Sequence, residues 1–143
     1  MKGWLWLRAE AVVIGLFALG HTVGIVGRPA HPTGNLATVL GDMQRYRFPV
    51  MGMQRSYWQF YHGFAFIVSL LLGICAVIAW QAGDIARREP RRALPMALTL
   101  EVGALGLLLL SLRYFFTAPI VFSALALAVQ TVAVALLRRA AAR

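Results

Sequence analysis

The chain is short of acids, cysteine and histidine: five Asp and Glu, one Cys and three His among 143 residues. Charged residues make up only 13% of it, about half the share in an ordinary soluble domain. With Cys75 alone, no intramolecular disulfide can form, and a thiol deep in an apolar segment behaves as a small hydrophobe. So few carboxylates, and no HExxH motif, argue against a hydrolytic metal site. No phosphate-cradling glycine loop and no nucleic-acid motif is present. Neither a metal nor a nucleic-acid partner is therefore expected.

Apolar sequence fills the space instead, at 60% hydrophobic residues. Four stretches, Trp4–Gly27, Trp58–Trp80, Ala93–Phe116 and Pro119–Leu137, approach or exceed the roughly 20 residues that cross a bilayer. Little chain remains outside them. The expected fold is all-α: an integral membrane four-helix bundle forming one domain over residues 1–143. Ala18-Leu19-Gly20 resembles a signal cleavage site, but Glu10 is unusual for a cleaved apolar region, so the first span is expected to stay uncleaved.

The net charge of +9 follows the span ends. Lys2 and Arg8 open the first span, Arg87, Arg88, Arg91 and Arg92 separate the second and third, and Arg138, Arg139 and Arg143 follow the fourth. Cytoplasmic loops collect Lys and Arg, which places both termini and the Arg87–Arg92 loop inside. Aromatic belts agree, with Trp4, Trp6 and Trp80 at one interface and Tyr57, Trp58 and Tyr114 at the other.

The long external connection, Arg28 to Gln54, carries Leu36, Val39, Leu40 and Met43 at helical spacing. A short amphipathic helix at the outer interface is predicted over Asn35–Arg47, broken by Phe48-Pro49. Span one ends at Gly27-Arg28-Pro29 and contains Gly20-x-x-x-Gly24, a spacing that lets helices approach closely in lipid. Span three is expected to begin after Pro90 and Pro95. Spans three and four, joined by a short turn near Thr117-Ala118, should pack antiparallel. Span four carries little polarity beyond Ser123, Gln130 and Thr131, and reads as packing.

Two glycine-flanked histidines lie at membrane depth, in Gly20-His21 and His62-Gly63. An ionisable group in hydrocarbon is costly and points by default to function. Arg55, Trp58, Gln59, His62, Phe66, Ser69 and Gly73 fall on one helical face of span two. In span one, Glu10, Phe17, His21, Gly24 and Arg28 form a similar line. Each histidine lies about 10 Å below its surface arginine, so the two are expected at one depth in the outer half of the bilayer. Arg113 and Tyr114 belong near the same outer end, with Glu101 about 18 Å deeper.

An outer-half cavity lined by His21, Arg55, Gln59, His62, Arg113 and Tyr61 is the expected construction. The first candidate function is binding, and acid–base transformation, of a lipophilic small molecule. His21, His62 and Glu101 would be catalytic; Arg55, Trp58, Gln59, Tyr61, Arg113 and Tyr114 would bind the substrate. A second is a non-enzymatic subunit or lipid-binding scaffold, as a homo-oligomer or within a membrane complex. The third is a haem b protein with both histidines as axial ligands, its propionates met by Arg28, Arg55 or Arg113. The alternative for each residue stays open. A histidine can simply bond a neighbouring helix, the arginines can snorkel to headgroups, and the Tyr57–Tyr61 aromatics can be an interface belt. Glu10 reads as structural and His31 as a solvated loop residue.

Two segments, Gly20-His21-Thr22-x-Gly24 and Arg55-Ser56-Tyr57-Trp58-x-Phe60-Tyr61-x-Gly63-Phe64, resemble an uncharacterised family of small four-span bacterial membrane proteins. The resemblance covers spans one and two. It implies a four-span fold in a bacterial inner membrane and brings no activity. The Arg/Asn/Glu pattern of four-span eicosanoid and glutathione enzymes is absent from span two.

Topology is directly testable. In a Cys75→Ser background, an impermeant maleimide added outside should label Asn35→Cys and spare Arg139→Cys; the reverse pattern would invert the assignment.

Overall fold

The computed structural model describes residues 2–27 and 32–142. The expectations for Arg28, Pro29, His31 and Arg143 fall outside these residues. Five helices and one small hairpin follow in order: α1 (Gly3–Val26), α2 (Gly34–Arg45), β1 (Arg47–Val50), β2 (Met53–Ser56), α3 (Tyr57–Arg88), α4 (Pro90–Tyr114) and α5 (Thr117–Ala141). The chain is all-α, and α1, α3, α4 and α5 are each long and apolar enough to cross a membrane. At 1.5 Å per residue, each of the four is about 36 Å or longer, more than the roughly 30 Å hydrocarbon thickness.

Several boundaries differ from the sequence expectation for local reasons. α3 runs eight residues past Trp80, so Arg87 and Arg88 form its last turn rather than a loop. Their charge suits the negative end of the helix dipole. Only Glu89 separates α3 from α4, which starts at Pro90 and not after Pro95. Proline's fixed φ and missing N–H suit that first position. Pro95 lies inside α4, and the Thr99 hydroxyl donates to its carbonyl at 3.1 Å. The turn between α4 and α5 is Phe115-Phe116, and Thr117 already belongs to α5. Pro119 stands in the first turn of α5, where N–H groups have no helical partner.

The chain forms two compact units, residues 1–18 with 71–143, and residues 19–70. The first gathers all four long helices around small residues. Leu7 of α1, Ala82 and Ala86 of α3, Ala93 and Ala97 of α4, and Ala133, Val134 and Leu137 of α5 make one buried cluster. Alanine at these positions lets backbones approach where lipid offers no hydrophobic drive. Ile14, Phe17, Leu72 and Ala126 form a second cluster, with Phe17 stacked on Phe122 at 5.2 Å. The antiparallel α4–α5 pair predicted from their short turn makes the most extensive helix contact.

The closest approach is not at Gly20-x-x-x-Gly24, where a Cβ on either glycine would meet nothing. Close approaches are at Gly3 and at Gly83; at Gly83 a Cβ would lie 3.3 Å from the Trp4 carbonyl oxygen and 3.2 Å from Arg8 Cγ. Beside it Arg8 pairs with Asp84 at 2.6 Å and lies over the Trp80 ring at 4.6 Å.

In the second unit, α2 is the predicted amphipathic helix. The hairpin after it was not anticipated: β1 and β2 pair antiparallel, Arg47 opposite Ser56 and Val50 opposite Met53. Its two-residue turn, Met51-Gly52, has positive φ at both positions, 49° and 82°. That backbone twist matches the twist of the strands it joins.

Gly83→Leu should lower stability by about 1–3 kcal/mol, because the backbone of α1 blocks the added side chain. Thermal unfolding in detergent measures it, with Gly20→Leu as the tolerated control.

Candidate functional site

Ser56 ends β2 and caps α3, and its neighbours decide what Gln59 does. The Gln59 backbone N–H donates to the Ser56 hydroxyl at 3.3 Å, while the Ser56 N–H donates to Gln59 Oε1 at 3.0 Å. This reciprocal pair is a capping box, and the Ser-x-x-Gln spacing that signals it is visible in the sequence. Gln59 therefore has a structural task that the substrate-binding expectation overlooked.

Arg55 belongs to β2 rather than α3, so helical spacing does not relate it to His62. Its guanidinium donates to the Gln54 carbonyl at 3.2 Å and contacts Met53 Sδ at 3.3 Å. Arg55 and Gln59 line a small hollow of about 260 Å³ with Phe60, Gly63, Phe64 and Ile67. Phe48 packs on this side, 4.7 Å from Tyr57 and 5.8 Å from Phe60, ring centre to ring centre.

The other side of α3 faces a larger groove of about 750 Å³. Ile25 and Val26 close it from α1, Trp58, Tyr61 and His62 from α3, and α2 lays Leu36, Ala37, Leu40, Gly41, Met43 and Gln44 along it. The aromatic run at the start of α3 is thus split by helical period. Tyr57, Phe60 and Phe64 turn to the hairpin side, while Trp58 and Tyr61 turn to the groove.

His62 Nδ1 donates to the Trp58 carbonyl one turn earlier, at 3.2 Å. The ring is held 4.0 Å from Trp58 and 5.7 Å from Tyr61, centre to centre. With Nδ1 so engaged, Nε2 of the neutral imidazole is the acceptor.

His21 is placed elsewhere. Its Nδ1 lies 3.0 Å from the Ser69 hydroxyl, which also accepts from Thr22 at 2.9 Å. This polar knot joins α1 to α3 seven residues, or about 10 Å, along α3 from His62. The two histidines are therefore not at one depth, and the expectation of a shared site is corrected. The surface-anchor spacing misled because Arg55 stands in a strand.

As placed, His21 Nδ1 is bonded to the Ser69 hydroxyl and His62 Nδ1 to the Trp58 carbonyl. Among the described residues, no group of three His, Cys, Asp or Glu side chains is placed to hold a metal ion.

The remaining predicted residues, Glu101, Arg113 and Tyr114, belong to the first unit. Arg113 lies over the ring of Tyr114 at 5.6 Å in the last turn of α4. Sequence reasoning gave no groove role to α2, whose Gln44 supplies a polar group in the lining. The amphipathic period of α2 was the available signal.

No family model, no curated protein and no solved structure matches the chain. The residues alone must carry the functional reading.

Ser56→Ala and Gln59→Ala should each destabilise by about 1 kcal/mol, the typical worth of a cap. The double variant should lose less than the sum, since both remove one capping box. Thermal unfolding of the three proteins checks this; full additivity would refute the shared role.

Proposed function

We propose that this integral membrane protein binds a lipophilic small molecule with a neutral, hydrogen-bonding head in the groove between α2 and the first turns of α3. The observation that carries this reading is the groove itself. Its volume of about 750 Å³ lies within the 300–1,000 Å³ of small-molecule sites. Its lining is mostly aliphatic and aromatic, with a few polar groups at fixed places, as such sites require.

The lining supports a neutral head rather than an anionic one. His62 offers Nε2 as an acceptor for a hydroxyl, and Gln44 offers an amide with both donor and acceptor. Arg55 lines the other hollow and Arg113 belongs to the other unit, so neither is counted as a clamp for an anion. The apolar body of the ligand would lie against Leu36, Leu40, Met43 and Trp58. His21 contributes by tying α1 to α3 through Ser69 rather than by touching the ligand.

The reading is one of binding rather than turnover. The acid–base scheme that joined His21, His62 and Glu101 loses its support once His21 is bonded two turns away. Within the groove, His62 and Tyr61 are the titratable side chains, and the Nδ1 bond to Trp58 orients the imidazole as a recognition group.

A diazirine-bearing long-chain alcohol in nanodiscs provides the test. Photolabelling should concentrate on Trp58, Tyr61 and Met43, and Ala37→Trp, which fills the groove, should reduce it at least tenfold. His62→Leu should weaken labelling several-fold by removing the acceptor for the alcohol. Uniform labelling of all lipid-facing surfaces, unchanged by Ala37→Trp, would end the proposal.

A further inference from the structure

Besides the Ser111 hydroxyl, three buried acceptor oxygens in the core of the first unit have no donor among the described residues. They are both carboxyl oxygens of Glu10 and Oε1 of Gln130, and both side chains are 0% exposed. Gln130 is fixed in place by its Nε2, which donates to the Ala97 carbonyl at 2.6 Å. Its Oε1 is left with nothing to accept.

The two side chains share one layer of the bundle. The start of α1 meets the end of α5, since a Cβ on Gly3 would lie 3.2 Å from Leu137. These helices therefore run in opposite directions. Leu7 packs in one cluster with Ala97, Ala133 and Val134. Moving three residues along α1 reaches Glu10, and moving three residues back along α5 from Ala133 reaches Gln130. Both steps are about 4.5 Å in the same direction. The next cluster, Ala11, Ala79 and Leu100, covers the layer from beyond.

Buried polar groups are almost always hydrogen-bonded, and an unpaired carboxylate in a membrane core is among the costliest exceptions. The charged groups on the packed helices do not supply a partner. Arg8 on α1 spends Nη2 on Asp84 of α3 and lies over the Trp4 and Trp80 rings; its Nε is buried without an acceptor, and it bonds neither Glu10 oxygen. On α4 the nearest charge is Glu101, which is another acceptor, and α5 is charged only at Arg138 and Arg139, two turns or more away. A proton on Glu10 removes the unpaired charge and supplies the donor that Gln130 Oε1 lacks, leaving one carboxyl oxygen as a neutral acceptor.

We propose that Glu10 is an intramembrane proton-binding site whose O–H donates to Gln130 Oε1, tying α1 to the α4–α5 hairpin through an acid–amide bond. The bound ligand is the proton, and its release would break this polar link.

Infrared spectroscopy of the full chain in nanodiscs tests this without any added ligand. The wild type should show a carbonyl stretch from a protonated carboxyl that is lost in Glu10→Gln. Gln130→Leu should keep the band but shift it, because the acceptor is gone; this second variant decides the matter if Glu10→Gln fails to fold. Absence of a Glu10-dependent band across acid and neutral pH would overturn the proposal. A band that appears only when sodium is withdrawn would also overturn it, in favour of a cation held by the same oxygens.

Discussion

Hydrocarbon offers no hydrogen bonds, so every polar group at membrane depth must find its partner inside the chain. The rest of this structure depends on that constraint. It makes the four long segments helical, because a helix satisfies its own backbone. It also turns several internal polar side chains into ties between elements, while others bond a carbonyl of their own helix. The Thr22–Ser69–His21 knot binds α1 to α3, and the Gln130–Ala97 bond joins α5 to α4. The capping box at Ser56 and Gln59 serves the same rule at the exposed end of α3, where N–H groups would otherwise go unpaired.

The same constraint separates tasks between the two histidines. His21 works as a structural link, spending Nδ1 on Ser69. His62 turns Nδ1 back on its own helix and keeps Nε2 for the groove. Identical side chains at similar hydropathy thus acquire different chemistry from the neighbours that bond them. The second unit combines this polar economy with an amphipathic lid, since α2 has no fully buried residue and shares its apolar side with the groove. In the first unit, alanine and glycine do the work that bulky apolar residues do in soluble cores. Gly83 against Trp4 and Arg8 is one such tight point.

Much of the fold was legible from residue order. Hydropathy gave four spans and their approximate ends, and apolar spacing gave α2. The proline positions were visible but misread at Pro95, which α4 carries inside it little more than a turn from its start. The Met51-Gly52 turn was missed, since neither residue pair nor strand length announces a hairpin of four-residue strands. The candidate site was legible in part: His62, Trp58 and Tyr61 do line one groove, whereas Gln59 and Arg55 line another hollow. Their separation follows from Arg55 leaving the helix, a fact that periodicity assumed away.

By itself the sequence determined the class, the four crossings and the shortage of polar groups, because these follow from composition and period over long windows. Tertiary structure alone decided which polar groups meet. His21 pairs with Ser69 rather than joining His62, and Gln130 reaches the Ala97 backbone from the neighbouring helix. The physical reason is that partners distant in sequence are set by how helices pack, and a shift of one turn moves a side chain by about 5 Å. That distance exceeds the reach of a hydrogen bond, so spacing along one helix cannot foretell the bond across to the next.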